Sequence, residues 1–141
     1  MNVSLVKPES LGSLSFYLSY VAAGFPSPAD DYAEKSLSID ELLVKHPSAT
    51  YLVRANGDSM IKSGIFDKDI LIVDRAVEPK DGDIVIAGID GELTCKFLNL
   101  RSKCLVAANP KYLPIPIKDE QDLLIEGVVI SSIRLHRSCT L

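Results

Sequence analysis

DIVIAGI-DG-ELTCKFLNL, residues 83–100, sets two strand-like runs on either side of the pair Asp90-Gly91. Asp-Gly between two such runs favours a two-residue turn of the primed type, because both turn positions need a positive φ that matches the twist of the strands. The stretch therefore predicts an antiparallel β-hairpin.

The second run of this hairpin carries a lysine. Side chains alternate between the two faces of a strand, so Leu93, Cys95 and Phe97 share one face and Lys96 lies on the other. We expect the first face to be core. Lys96 then has two interpretations, a lysine on a solvated or edge strand, or a lysine that faces a partly apolar cleft.

Further short strands are predicted beyond the hairpin, separated by turn formers such as Ser63-Gly64 and Asn109-Pro110. Short strands at this spacing, with one helix, predict a mostly β fold, a compact antiparallel β domain. The predicted strands are Thr50–Ala55, Asp69–Val77, Asp83–Ile89, Glu92–Leu100, Cys104–Asn109 and Leu123–Leu135.

One short helix is predicted before the strands. Ser38 and Glu41 have the spacing of a capping box, in which each side chain bonds the backbone N–H of the other residue. The helix is predicted over Ile39–Lys45, with Leu42 and Leu43 as its buried side, and Pro47 ends it.

Residues 1–31 are predicted to be an N-terminal arm and residues 32–141 a β-rich domain. Pro26 and Pro28 exclude a helix at the end of the arm and hold the backbone extended. Just before them, Ala23 and Gly24 are small enough to enter a narrow protease cleft, and a protease binds its substrate as an extended strand. A plain flexible linker is the other interpretation.

Composition excludes several classes of function. The net charge is −4 and the basic residues are scattered, which argues against direct DNA binding through phosphate neutralisation. The three cysteines form no Cys-x-x-Cys pair, and the two histidines, His46 and His136, are far apart in the chain. We therefore expect no metal, no cofactor and a reducing compartment.

The apolar run Leu11–Ala23 raises the alternative of an exported protein, because Val21-Ala22-Ala23 is similar to a signal-peptidase site. Pro8 and Glu9 directly before the run, and its short length, argue against export and against a membrane span. We expect a cytoplasmic protein without membrane attachment.

A candidate nucleophile lies in Asn56-Gly57-Asp58-Ser59-Met60, directly after a predicted strand. A flexible turn exposes the Oγ of Ser59, and the backbone N–H groups of Asp58 and Ser59 are candidate donors to an oxyanion. All of these residues except Met60 are also common turn formers, so an ordinary turn is the competing interpretation.

Serine needs a base, and with no well-placed histidine a lysine is the remaining candidate. Lysine acts as a base only when neutral, and its reference pKa is about 10.4. Burial lowers that pKa, so a lysine beside apolar neighbours is suited to the role. The residue pattern alone leaves Lys62, Lys68 and Lys96 as alternatives.

The chain resembles the LexA-like family of self-cleaving Ser-Lys peptidases, over nearly its whole length. Within that family it is most similar to members that serve as accessory subunits of error-prone DNA polymerases. The segments that carry the resemblance are Gly24–Ala29, His46–Tyr51, Gly57–Met60, Leu71–Asp74 and Gly82–Ala87.

The resemblance implies a β-rich catalytic domain with Ser59 as the nucleophile and Lys96 as the general base and acid. It implies cleavage at Ala23–Gly24. Two residues next to the lysine depart from the family pattern, Cys95 in place of an aliphatic residue and Phe97 where a basic one is common. The tail His136–Leu141 aligns poorly and is given no role.

The resemblance also implies a function and partners. A RecA filament on single-stranded DNA would stimulate self-cleavage in the SOS response, and the shortened homodimer would join a UmuC-like polymerase for translesion synthesis. Two alternatives remain, a polymerase-binding adaptor in which Ser59 and Lys96 are idle, and a LexA-like repressor. The repressor requires a DNA-binding head, which about 30 residues with few bases do not provide.

Overall fold

A computed structural model describes residues 12–17, 21–26, 34–118 and 123–137. The chain divides into two compact units, Met1–Leu43 and Val44–Leu141. The boundary predicted from the sequence, after Asp31, stays a prediction. In the part of the chain that the structure describes, no helix is both long and apolar enough to cross a bilayer.

In the described residues of the first unit, two strands pair and one helix follows them. Strand β1, Leu14–Tyr17, runs antiparallel to β2, Glu34–Leu37. Helix α1 covers Ile39–Leu43. The segment that follows Pro26, with the second proline of the arm, lies outside the described residues.

The helix begins as predicted but is shorter. The Glu41 N–H lies 3.4 Å from the Ser38 Oγ, which confirms the cap. The predicted end at Lys45 is wrong, because α1 stops at Leu43. The buried side is also wrong in part, since Leu42 is 52% exposed. A single helical turn has too few residues to form a continuous apolar face.

The second unit is built on a seven-stranded sheet in the order β3-β4-β9-β5-β6-β7-β8, with every neighbouring pair antiparallel. This confirms the predicted mostly β fold. The strands are β3 Thr50–Arg54, β4 Ile70–Asp74, β5 Ile84–Ile89, β6 Glu92–Asn99, β7 Cys104–Val106, β8 Ile115–Pro116 and β9 Leu123–Ile133.

The predicted hairpin is confirmed as the pair β5–β6, with Asp90 at φ 50° and Gly91 at φ 84° in its turn. All six predicted strands are present, five of them end before the predicted residue, and two end three residues early for local reasons. Strand β4 stops at Asp74, whose carboxylate accepts the N–H of Ala76 and turns the chain. Strand β7 stops at Val106 because the next residues bond the turn that holds Ser59.

Strand β8 was not predicted, because its two residues lie in a proline-rich segment and Pro116 cannot donate to a ladder. It is the outermost strand of the sheet, where the missing N–H of a proline is tolerated.

Both faces of the sheet are packed, which corrects the predicted single core face of β6. One cluster holds Met60, Ile65, Leu71, Val73 and Ile86, and the other holds Val85, Ala87, Leu98, Leu105 and Val128. Leu93, which we expected in the core, is 66% exposed, because it lies near the turn end of the hairpin where no layer covers the strand.

Candidate active site

The turn after β3 is shaped by two glycines and by one aspartate. Gly57 has φ 91° and Gly64 has φ 86°, conformations in which a side chain would be strained. The Gly57 N–H donates to the Asp67 Oδ1 at 2.8 Å. Between the glycines lies the 3-10 turn Ile61–Ser63. These contacts fix the backbone on both sides of Ser59.

The same turn is held from the far side by the segment 108–112, which follows β7. The Lys62 N–H donates to the Ala108 carbonyl at 2.9 Å. Asn109 Nδ2 donates to the Asp58 carbonyl at 3.0 Å, and the Tyr112 hydroxyl donates to the Asp58 Oδ1 at 2.6 Å. Segments about fifty residues apart therefore fix one short turn.

Lys96 reaches this turn from β6. Its Nζ lies 3.0 Å from the Ser59 Oγ, 2.9 Å from the Thr94 Oγ1 and 3.1 Å from the Cys95 carbonyl oxygen. The residue is 8% exposed. Lys62 and Lys68, the alternatives that the residue pattern left open, are both exposed. Among the three lysines, the structure brings Lys96 to Ser59.

The environment of Lys96 favours its neutral form. Burial lowers the pKa of the amine from its ordinary value of 10.5, and the neighbouring Cys95 thiol opposes this to a smaller extent. Burial also raises the pKa of the Cys95 thiol to about 11, so the thiol is uncharged near neutral pH. An uncharged thiol does little to stabilise an ammonium ion beside it.

The three neighbours of Nζ are all oxygen atoms, and an ammonium can donate one N–H to each of them. A neutral amine has two N–H donors and one lone pair. In that form the hydroxyl of Thr94 and the carbonyl of Cys95 can accept the two N–H groups, which leaves the lone pair for the O–H of Ser59. The sequence analysis did not identify Thr94, although its position two residues before Lys96 places both side chains on one face of the strand.

A cleft of about 250 Å³ opens over this pair. Its polar groups include Ser59, Lys96 and Thr94, and its apolar lining comes from Val53, Ala55, Met60, Ile65, Ile86 and Leu93. Apolar walls exclude water from the amine and offer contacts to uncharged side chains of a bound peptide. The exposed Leu93 is therefore part of the cleft wall rather than of the core.

We expected the backbone N–H groups of Asp58 and Ser59 to donate hydrogen bonds to an oxyanion. Neither group has a hydrogen-bond partner within the described residues. The next N–H group towards the N-terminus, that of Gly57, is occupied by Asp67. The two expected donors are thus available to a bound group, as an oxyanion site requires.

Ala23 and Gly24 lie in the first unit, and both are exposed. No atom comes within 4 Å of the position that a Cβ would take at Gly24. The flanking side chains Val21 and Phe25 are each 93% exposed. The predicted scissile bond is therefore accessible to a protease.

Behind the turn lies an ion pair between a buried carboxylate and an exposed guanidinium. Arg134 Nε and Nη2 donate to the Asp69 Oδ1 and Oδ2 at 2.9 and 2.8 Å, and Nη2 also donates to the Gly64 carbonyl at 2.7 Å. The guanidinium stacks 3.9 Å above the ring centre of Phe66. Asp69 is 2% exposed. This network ties the end of β9 to the loop that follows Ser59.

Comparison with known proteins gives a consistent result. The model of the family described as Peptidase S24-like matches residues 15–130. Protein MucA of Salmonella typhimurium is 44% identical over 131 residues, which are 90% of this chain and 88% of MucA. Protein SamA of Salmonella typhimurium is 45% identical over 138 residues, 95% of this chain and 96% of SamA.

A repressor is also similar to the chain. LexA repressor 2 of Pseudomonas putida is 40% identical over 119 residues, which are 83% of this chain but 58% of the repressor. The similarity therefore leaves a large part of the repressor unmatched.

Proposed function

Because this chain belongs to the S24-like peptidases, and among them to the UmuD-like members of the LexA family, we propose that it cleaves itself with Ser59 and Lys96. The observation that carries the proposal is the buried Lys96 Nζ at 3.0 Å from the Ser59 Oγ. That distance is within the reach of a direct proton transfer from the hydroxyl to the amine.

In the proposed reaction, the Ser59 Oγ attacks the carbonyl carbon of Ala23 while the neutral Lys96 amine takes the hydroxyl proton. The free N–H groups of Asp58 and Ser59 stabilise the oxyanion that forms. The Lys96 ammonium then protonates the nitrogen of Gly24, which leaves, and Ala23 remains bound to Ser59 as an ester. Water, deprotonated by Lys96, hydrolyses the ester and releases residues 1–23.

We further infer that a RecA filament on single-stranded DNA stimulates this cleavage in the cytoplasm during the SOS response. Under this proposal, a chain is cut only while its arm is docked in the cleft, and Lys96 is inactive while charged. We propose that the filament raises the population of chains with a docked arm. The apolar residues of the docked arm would then exclude water from the Lys96 amine. If the docked fraction stays constant while cleavage accelerates, this explanation is wrong.

The shortened product, beginning at Gly24, is proposed to act as a homodimer and as the accessory subunit of a UmuC-like translesion polymerase. This role rests on membership of the UmuD-like group. The similarity to MucA and SamA covers nearly all of each protein, whereas the repressor is matched over 58% of its length. Because the match to MucA and SamA extends over nearly the whole of each protein, we favour the polymerase role.

Mass spectrometry of the purified chain tests the proposal. We expect the mass of residues 1–23 to be lost slowly at alkaline pH and faster with RecA, single-stranded DNA and a nucleotide. Ser59→Ala should abolish the loss under both conditions. An intact wild-type chain under both conditions would instead support the idle adaptor.

A further inference from the structure

Asn109 occupies an unusual position for an asparagine that follows a strand. It is 8% exposed and bonds the residue that directly precedes the candidate nucleophile. Its Nδ2 donates to the Asp58 carbonyl at 3.0 Å, and its Oδ1 accepts the N–H of Lys111 at 3.0 Å. The two ends of one amide therefore bind two segments at once, and the side chain cannot rotate without breaking a hydrogen bond.

The carbonyl that Asn109 holds belongs to the peptide unit whose N–H is that of Ser59. A trans peptide is planar, and its C=O and N–H point in opposite directions. A second donor, the Ile61 N–H, holds the same carbonyl at 3.2 Å. With the Asp58 carbonyl fixed on the protein side, the Ser59 N–H is turned to the opposite side and has no partner among the described residues.

We propose that Asn109 is a positioning residue that sets the direction of the Ser59 N–H as an oxyanion donor. This inference rests on the proposed function of Ser59. It predicts that Asn109 governs stabilisation of the oxyanion and leaves proton transfer to Lys96 unchanged, because Asn109 makes no contact with the amine.

Two substitutions separate the donor function of the asparagine side chain from its acceptor function. Asn109→Ala removes both hydrogen bonds. Asn109→Asp keeps an oxygen that accepts the Lys111 N–H. It replaces the Nδ2 donor with a second oxygen, so the hydrogen bond to the Asp58 carbonyl is lost. We expect each to lower the maximal rate of self-cleavage by about 10- to 100-fold, less than the loss of an oxyanion donor itself. In Asn109→Ala, which adds no charge, the pH at half-maximal rate should stay at the wild-type value.

Tyr51→Phe is the matched control, since it also removes one side-chain donor to a backbone carbonyl. The Tyr51 hydroxyl donates to the Glu126 carbonyl at 3.0 Å, and Tyr51 does not line the cleft. Its thermal midpoint should fall about as much as that of the Asn109 variants, while its cleavage rate stays near wild type. Equal rate losses in all three variants would reduce Asn109 to a general stabilising residue.

The assay is self-cleavage of the full chain across alkaline pH, at a temperature where circular dichroism shows every variant folded. Wild-type rates in both Asn109 variants would overturn the inference and leave Ser59 and Lys96 untouched. A wild-type chain that cuts no faster than Ser59→Ala would overturn the proposed function itself. A shifted pH midpoint in Asn109→Ala would show that the residue acts through Lys96 instead.

Discussion

At the scale of single residues, the site depends on the burial of one amine. Lys96 is 8% exposed and has an uncharged thiol beside it, so its ammonium form loses more hydration than it regains from neighbours. We infer that a charged lysine at this position lowers the stability of the fold. We therefore expect catalysis and stability to respond to its removal in opposite directions.

Lys96→Met tests this expectation. Because methionine has no amine to act as the base, we expect self-cleavage to fall by about 10²- to 10⁴-fold. Because its apolar stem keeps the packing, the thermal midpoint at neutral pH should stay the same or rise. Lys68→Met, which changes an exposed lysine, should cleave at the wild-type rate. Loss of the folded state in Lys96→Met would contradict this account of the residue.

The pH dependence of Lys96 has a defined sign. Its pKa in the folded chain lies below the ordinary value of 10.5, so the unfolded chain binds more protons between the two values and stability rises with pH there. The cleavage rate should also rise with pH, with its midpoint below 10.5. Chemical denaturation at several alkaline pH values checks the rise in stability, and the cleavage rate measured over the same pH range checks the rise in rate.

The contribution of Asp69 to stability depends on pH in the acidic range. The Arg134 hydrogen bonds hold the pKa of its carboxyl below the ordinary value of 3.8, so its contribution is present above that value and is lost as pH falls through the folded pKa. Arg134→Met should lower the thermal midpoint by several degrees at pH 7 and by less below pH about 4. Arg137→Met, at an exposed arginine nearby, should change neither.

At the scale of secondary-structure elements, the sheet leaves no space for a side chain at one position of β9, between β4 and β5. Gly127 lies there with φ 154°, next to shifts of register on both sides. A Cβ at this position would lie 2.5 Å from the Val73 Cγ1 and 3.3 Å from the Asp74 carbonyl oxygen. The glycine allows a bulged strand to approach β4 closely.

Gly127→Ala should therefore destabilise the second unit by about 3 kcal/mol, from overpacking together with backbone strain. Gly88→Ala on β5 is the control. Its Cβ would have its nearest atom, the Glu126 Oε1, at 3.7 Å, an ordinary contact. The control should change the free energy of unfolding by less than about 1 kcal/mol. Equal losses in urea denaturation would show that the close approach is not decisive.

At the scale of the whole molecule, the length of chain between the arm and the site matters. About 35 residues join Gly24 to Ser59, and they include β2, α1 and β3, so this connection spans much less than a fully extended chain of that length. In the proposed homodimer, the arm could enter the cleft of its own subunit or that of the other subunit. Whether the cut is made within or between subunits is therefore a question for an experiment on mixed chains.

Gly24→Lys should block cleavage, because a long charged side chain fits poorly in an apolar cleft; normal processing of this variant would place the scissile bond elsewhere. Mixing it with Ser59→Ala then separates the two routes. The first variant has an intact site and the second an intact arm, so loss of residues 1–23 from the Ser59→Ala chain shows cutting between subunits. Mass spectrometry distinguishes the two chains.

The sequence by itself determined the β class, the hairpin at Asp90-Gly91 and the cap at Ser38, because alternation, turn chemistry and capping act between residues close in the chain. It did not predict β8, the early end of the helix at Leu43 or the exposure of Leu93, which depend on what packs against each segment.

The site divides in the same way. The sequence pointed to Ser59 from its turn and placed Thr94 on the same strand face as Lys96. Residue patterns alone left three lysines open and gave no sign of Asn109 as a neighbour of the site. The family resemblance implied Lys96, but only the tertiary structure shows that it is the buried lysine beside Ser59, because burial and a 3.0 Å approach between residues 37 positions apart arise from packing of the whole sheet.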